Sequence, residues 1–540
     1  MSGKTCLICF ALSVLAFGGQ ADATVPTVMN IVNFVRGCEP RYPDVDLVLP
    51  LREEIRLNTE KHLPNTILLQ YDAMLRPDIV AVAKTAEQDK TEYGVWLEWC
   101  RQLVEKCGMK WRGRPGWDWE WFVNPGLPMG YTPTEREKLC DEVFRLFKET
   151  FGQYPKSVGG WLLDAPTMDY LTRKYGIDAF CICREQDATD AYGLRGGYAN
   201  GAYYPSKKNG LSAAVDMKNA IPTPVFRMLT PDPIYNYGAG WNERGQIRSP
   251  IPEACTLEPG CETGQRKEIV DWFFRIYTGP ALLGLSYMQT GQENCFGWKG
   301  ISKGLPYQMD VIADYLAKGR IEVLTLGETG RRFKARHREN IPQTLVALED
   351  WSGKNYKCVC YSSKHYRMNL FFDGKCVYFR DIHKFCDEHS ETYLKAACKK
   401  WCCSYVTPPV VDGYMLSKDG EDGTASFGGT FASFDAVPAD EKTLRVTAVR
   451  PDGSKLIITF GEDSIDIDFG LTSEDAFRTA ALKFRGGGPF VDALDFPPGK
   501  IVMTFEGVRY EVGYFGDLKP SQKGWTLHPI RGKARLDLRL

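Results

Sequence analysis

The chain has 540 residues, 44% of them hydrophobic and 25% charged, the balance of a globular protein and not of a disordered one. Lys+Arg number 67 and Asp+Glu 68, a net charge of -1, so the basic surplus of a nucleic-acid binder is missing. No apolar run of about 20 residues follows the N-terminal region, so no spanning helix is expected. At the N-terminus, Lys4, the apolar stretch Thr5–Phe17 and the small-residue triplet Ala21-Asp22-Ala23 have the order of a secretory signal cleaved near Ala23. Residues 1–23 are therefore expected to be removed, and the protein to be exported to the periplasm or the medium. Two of the 18 Cys, Cys6 and Cys9, fall in that segment, leaving an even number in a compartment that permits disulfides. Cys181 and Cys183, like Cys358 and Cys360, alternate within apolar runs and read as small buried residues on strands. Cys398, Cys402 and Cys403 lack a second ligand pair and read as structural thiols or a disulfide sooner than as a metal site.

From Thr24 to about residue 335, short apolar runs alternate with helical patterns. Strands are predicted at 28–35, 65–71, 93–99, 157–163, 179–183, 224–229 and 281–288, with helices at 47–62, 77–84, 134–151, 167–175, 265–277 and 306–317. The helix at 134–151 has Pro133 before it, Thr134 and Glu137 as a capping box, and Gly152 as its stop. Seven strands alternating with helices predict a parallel α/β barrel. Gly330 to Pro342 is predicted to be a solvated linker. Beyond it the period becomes two and hairpins follow, at Asp373-Gly374 and at Glu506-Gly507. The expected architecture is thus a signal peptide at 1–23, a seven-stranded (β/α) barrel at 24–335, and an antiparallel β-sandwich at 336–540 with one helix near Ser390–Lys399.

Several stretches of the first region carry a resemblance. Glu60-Lys61-His62 followed by Asn65–Leu69, the segment Glu92-Tyr93-Gly94, Tyr131–Gly152 with the following Tyr154–Trp161, and Thr167–Ile177 together resemble the barrel of polysaccharide deacetylases and family-57-type glycoside hydrolases. The whole chain also resembles a two-domain group of secreted gut-bacterial proteins of the Bacteroides type. The resemblance implies a carbohydrate-active barrel. The chain departs from it where metal would bind: those deacetylases hold zinc with one Asp and two His, and between Thr24 and Gly330 the only His is His62. The family-57 first strand ends in H-x-H-Q-P, whereas here the stretch reads Asn33-Phe34-Val35-Arg36-Gly37-Cys38-Glu39-Pro40. No metal and no cofactor is called for.

In α/β barrels the reacting groups sit at the C-terminal ends of strands. The strand ends supply Arg36, Glu39, Asp72, Glu98, Asp164, Arg184, Glu185, Gln186, Asp190, Arg227, Asp232, Gln289 and Glu293. Carboxylates dominate, as glycoside hydrolysis requires: one acid for the leaving oxygen and one nucleophile or base. The candidate catalytic residues are Asp72, Asp164, Glu185, Glu98 and Glu39, with Asp72, Asp164 and Glu185 expected around one pocket. Each has a structural alternative: Asp72 and Asp164 as helix caps, Glu39 and Glu185 as partners of neighbouring arginines, Glu98 as a solvated helix position. Six of the 13 Trp lie between residues 96 and 121, and a loop so rich in aromatics suits sugar stacking or a packed lid equally. Candidate substrate contacts are Arg36, Trp96, Trp117, Trp119, Trp161, Arg184, Gln186, Asp190 and Arg227, with Tyr235-Asn236-Tyr237 as further loop polarity. The expectation is an exported, metal-independent carbohydrate-active enzyme, a glycoside hydrolase acting on an oligo- or polysaccharide. Two alternatives stay open: a glycan-binding protein without chemistry, and a deacetylase with unusual ligands.

Overall fold

The computed structural model describes residues 25–186, 191–236, 256–413, 423–471, 480–485, 493–521 and 524–539. The expected signal segment, Asp190 and Tyr237 lie outside the described residues. Among the described residues no helix is long and apolar enough to cross a membrane.

Among the described residues the first sheet has nine strands, seven of them parallel in the order Ser286–Thr290, Thr27–Val35, Asn65–Leu69, Thr91–Trp96, Ser157–Gly159, Ala179–Cys183 and Val225–Met228, with the short antiparallel Ala202–Tyr203 beside Val225–Met228. All nine residues of the first strand are buried, which is why it reads as an uninterrupted apolar run: helices cover one face and the interior the other. Glu322–Leu324 adds a short parallel strand beside its N-terminal half. The backbone ladder is open between Val225–Met228 and Ser286–Thr290. There the Thr230 hydroxyl accepts from the Gln289 amide (2.7 Å) and donates to its carbonyl (2.9 Å), standing in for the missing strand pair.

Local signals set the helices. The helix Pro133–Phe151 begins one turn position earlier than expected: Thr132 caps it, reciprocally with Glu135, and Pro133 takes the first helical position. Both T-x-x-E pairs fit a capping box, but only the Thr132 register places proline where its missing N–H leaves no bond unmade. Gly152 ends it at φ 81°. The expected linker is also corrected. Residues Leu326–Arg336 form a helix capped by Thr325, with Arg331 and Lys334 bonded to Asp178, and a side chain at Gly330 would run into the Asp178 carbonyl.

The second half consists of two antiparallel sheets that share one apolar core. Leu444, Val446 and Ala448 face Leu456, Ile458 and Phe460 from neighbouring strands, with intervening residues outward, so the period of two follows one-sided burial. Both expected hairpins form: Tyr366–Phe372 pairs with Val377–Lys384, and Lys500–Phe505 pairs with Val508–Phe515 across Glu506-Gly507, whose φ values of 49° and 75° suit a two-residue turn.

The helix expected near Ser390–Lys399 is absent, and the reason is competition for its backbone. Arg136 takes the carbonyls of Tyr393 and Ala396, and the Cys398 amide donates to Met129. The two halves are joined further by parallel pairing of Tyr192–Arg195 with Cys403–Val406. Leu345, Ala347, Cys358 and Cys360 belong to the same apolar cluster as Trp272, Phe273 and Tyr277.

Candidate active site

Arg36 follows the first strand and organises the mouth of the parallel sheet. Its Nε and Nη2 donate to Glu98 Oε2 (3.1 and 2.8 Å), and its Nη1 donates to Glu293 Oε2 and, at 3.1 Å, to Cys295 Sγ. The Trp119 ring lies 4.1 Å from the guanidinium carbon, and the Trp96 indole donates to Glu98 Oε2 (2.8 Å). Phe34 stacks on Trp96 at 4.4 Å, and Trp161 meets Trp96 edge-on at 5.1 Å. The side chains of Arg36 and Glu98 are 2% and 0% exposed, so their charges face one another with little water between. Burial alone would lower the Arg36 pKa. The adjoining Glu293 and Glu98 carboxylates outweigh it and raise the value further.

The two carboxyl groups are not equivalent. Burial pushes Glu293 up to about 7; Arg36 opposes the shift, while Glu98 and Glu258 add to it. Glu98 bonds only through Oε2, and its Oε1 is buried without a hydrogen bond. One guanidinium therefore sits between Glu293, whose pKa burial raises to about 7, and Glu98, one of whose oxygens makes no hydrogen bond. Glu293 is among the strand-end residues that the sequence supplies, but nothing local marks it above the others. Its placement follows from the Ser286–Thr290 strand lying next to the first strand.

Asp72 stands close to this group. It is buried, neither oxygen makes a hydrogen bond of full geometry, and burial raises its pKa. The Gly37 and Ala73 amides and the Cys38 thiol moderate that rise. The short helix Tyr71–Met74 has Gln70 at its cap position, so Asp72 is not a cap. A Cβ on Gly37 would fall 2.5 Å from the Asp72 carbonyl, which fixes glycine where the two strand ends converge. Glu39 bonds Arg41 through both oxygens; burial pushes its pKa up, and Arg41 pulls it below the usual carboxylate value.

Asp164 and Glu185, expected beside Asp72, are each engaged by arginines and backbone amides of their own surroundings. Asp164 caps the helix Ala165–Tyr175 through the Thr167 amide (3.0 Å) and pairs with Arg136 (2.9 Å), fully buried. Beside it Glu391 accepts from the Ala165 and Gly210 amides, and burial together with the Asp164 charge pushes it up to about 8. Glu185 is paired with Arg367 and also accepts from the Gly196 amide (3.2 Å). Burial raises its pKa, but Arg367, Arg195 and Arg227 bring it below the usual value. These are carboxylates committed to structure.

The remaining candidates divide similarly. Arg184 donates to the Glu185 carbonyl (2.8 Å) rather than to its carboxylate, and Arg227 donates to the Cys183 and Gly196 carbonyls. Gln186 lines a cavity of about 30 Å³ with Glu185, Asp232, Asn236 and Asn369, and none of the Arg36 group lines it. Trp117 is half-buried with Arg114 3.5 Å over its ring.

Among the described residues no group of three His, Cys, Asp or Glu is placed to hold a metal ion. His62, the one imidazole of the first region, is exposed just past the end of the helix Val48–Glu60. The donor set of a deacetylase zinc site does not fit these residues, and no step is derived through a metal.

No protein-family model and no curated protein sequence matches the chain. Among solved structures it is similar to a protein from Parabacteroides distasonis with the provisional description glycoside hydrolase/deacetylase, at 15% identity and a TM-score of 0.54, covering 73% of this chain and 93% of that one. A Mycobacterium smegmatis protein provisionally described as a polysaccharide deacetylase (12% identity, 58% of this chain and 92% of that one) and the allantoinase PuuE (11%, 61% and 99%) align with TM-scores of 0.33, too low to carry an argument. At 15% identity, the Parabacteroides distasonis likeness is one of fold.

Proposed function

We propose that the chain is an exported carbohydrate-active hydrolase, a glycoside hydrolase whose reacting pair is Glu98 and Glu293. The observation that carries this reading is the single Arg36 guanidinium bridging two buried carboxyl groups in unlike environments. Glycosidic cleavage needs one carboxylic acid that keeps its proton near neutral pH and one carboxylate free to attack or to activate water. Glu293, pushed up to about 7, suits the first role, and Glu98, with Oε1 uncommitted, suits the second. Arg36 bonds both side chains and stabilises the negative charge that appears on Glu293 once its proton has gone to the leaving oxygen. Trp119 and Trp161 supply apolar faces beside the pair. The provisional description of the Parabacteroides distasonis neighbour and the order of charge, apolar core and small residues at the N-terminus agree with an exported enzyme of this class.

Burial of the centre favours one competing reading, a glycan-binding protein that keeps the scaffold without turnover. Release of reducing ends from a panel of defined oligosaccharides separates the two. Turnover that disappears in Glu293→Gln and Glu98→Gln supports the hydrolase. Binding without turnover by the unaltered protein supports the competitor.

A further inference from the structure

A ribbon of aromatic rings leads from the Arg36 centre to the surface. Trp121 lies 6.0 Å from Trp119, Phe122 lies 5.3 Å from Trp121, and Trp401 lies 4.7 Å from Phe122, measured between ring centroids. Exposure rises along it: Trp119 is buried, Trp121 and Phe122 are half-buried, and Trp401 is 50% exposed. Two guanidinium groups lie against the rings, Arg41 at 5.0 Å from Trp119 and Arg114 at 4.4 Å from Trp121. Each has its own carboxylate, Glu39 for Arg41 and Glu120 for Arg114, so the ribbon offers N–H donors without surplus positive charge.

The outermost ring is held in place by the rest of the molecule. Trp401 belongs to the second half of the chain, yet its carbonyl accepts from the Val123 amide (2.9 Å) of the first. Two neighbouring bonds, Asn124 Nδ2 to the Lys399 carbonyl (3.1 Å) and the Cys398 amide to the Met129 carbonyl (2.7 Å), fix the same segment. Those bonds displace the helix that the sequence favours there. A large indole kept half in water at the end of an aromatic line that begins beside the reacting pair is placed to meet a ligand.

We propose that the accessible part of the ribbon, Trp401 with the half-buried Phe122 and Trp121, is a run of subsites for an uncharged oligosaccharide of several pyranose units, directed towards the Arg36 centre. This deepens the hydrolase reading and rests on it. The C–H face of a pyranose ring is apolar and stacks on indole, while its rim hydroxyls accept from guanidinium N–H groups. Pairing of both arginines removes the net charge that would recruit an anionic polymer. Three rings, Trp121, Phe122 and Trp401, offer surface along this line, so a short saccharide covers only part of it and chain length becomes a determinant of affinity.

The test uses the full chain carrying Glu293→Gln to stop turnover, with calorimetric titration of cellohexaose, xylohexaose, mannohexaose, maltohexaose and chitin hexaose, and of the matching disaccharides. At least one hexaose is expected to bind, about tenfold or more tighter than its disaccharide. Adding Trp401→Ala should weaken that hexaose at least about threefold while leaving the disaccharide unchanged, and Trp401→Phe should restore most of the loss. Trp401 is half exposed, so the alanine variant should fold, which its thermal midpoint checks. Failure of every hexaose to bind, or a loss below about threefold in Trp401→Ala, overturns the proposal. The two readings fail separately: hexaose binding by an unaltered protein that turns nothing over sinks the hydrolase and keeps the ribbon, whereas turnover that is indifferent to Trp401 does the reverse.

Discussion

Two kinds of strand-end carboxylate stand in this molecule, and they differ in how much positive charge is set against their burial. Asp164 has Arg136, a helix amide and a threonine hydroxyl, and Glu185 lies among Arg367, Arg195 and Arg227, which bring its pKa below the usual value. Glu98 and Glu293 share one arginine between them, and Asp72 has none. A buried charge with full pairing is a fixture, because every alternative arrangement leaves something unpaired. A carboxyl group with part of its hydrogen-bonding capacity unused, held beside a second one whose pKa burial raises to about 7, is poised for proton transfer. Position at a strand end does not separate the two classes, whereas the charge set against burial does: Glu185 is brought below its usual value and Glu293 is pushed up to about 7.

The sharpest way to break this comparison is amide substitution in both classes. Glu293→Gln and Glu98→Gln should each lower turnover by about 10²–10⁴-fold with the fold intact, whereas Asp164→Asn should leave turnover of the folded fraction near the original. Initial rates normalised to folded protein decide it, and equal losses in all three would erase the distinction. Stability should show the reverse order. Arg136→Met strands the buried Asp164 beside Glu391 and should cost about 3–5 kcal/mol in denaturant unfolding. Arg367→Met, which leaves Glu185 and Asp381 without their shared partner, should cost a similar amount.

The pH profile sharpens the role of Glu293. Its folded pKa of about 7 lies above the ordinary value of 4.5, so the group is protonated below about 7 and loses its proton as pH rises through that value. As a proton donor it should give an alkaline limb in kcat/KM centred near 7, absent from the residual rate of Glu293→Gln. A limb on the acid side alone would transfer the acid role to another group.

A smaller effect is expected far from the mouth. Glu54, on the helix Val48–Glu60, is buried with both oxygens unbonded, and burial raises its pKa well above 4.5. Above about pH 4.5 the unfolded chain gives up this proton and the folded chain keeps it. Stability should therefore fall with rising pH by up to about 1.4 kcal/mol per pH unit until the folded pKa is passed. Urea midpoints of Glu54→Gln should be flatter between pH 5 and 8 than those of the unaltered protein, and parallel curves would contradict the assignment.

The strands of the first region were legible because parallel strands buried on both faces read as continuous apolar runs, as at Thr27–Val35 and Ala179–Cys183. Helix stops at Gly152 and Gly176 were legible because both adopt positive φ. The status of the carboxylates was not. Arg136 is 28 residues from Asp164, and Arg367 is 182 from Glu185, so no local pattern announces either pair. Glu293 is the converse case: it stands 257 residues from Arg36 and meets it only because the last strand of the sheet lies beside the first. The helix expected over Ser390–Lys399 failed for the same reason, since local propensity was right about the side chains and blind to the barrel groups that claim the backbone.

The parallel pairing of Tyr192–Arg195 with Cys403–Val406 joins the two halves edge to edge. The second strand lies far along the chain from the first, so the first region separated from the rest would carry an unpaired strand edge and would lose the Arg367 partner of Glu185. An open edge is the feature by which sheets pair with other chains, and here the same polypeptide covers it. The second half is thus a built-in guard against association of the first.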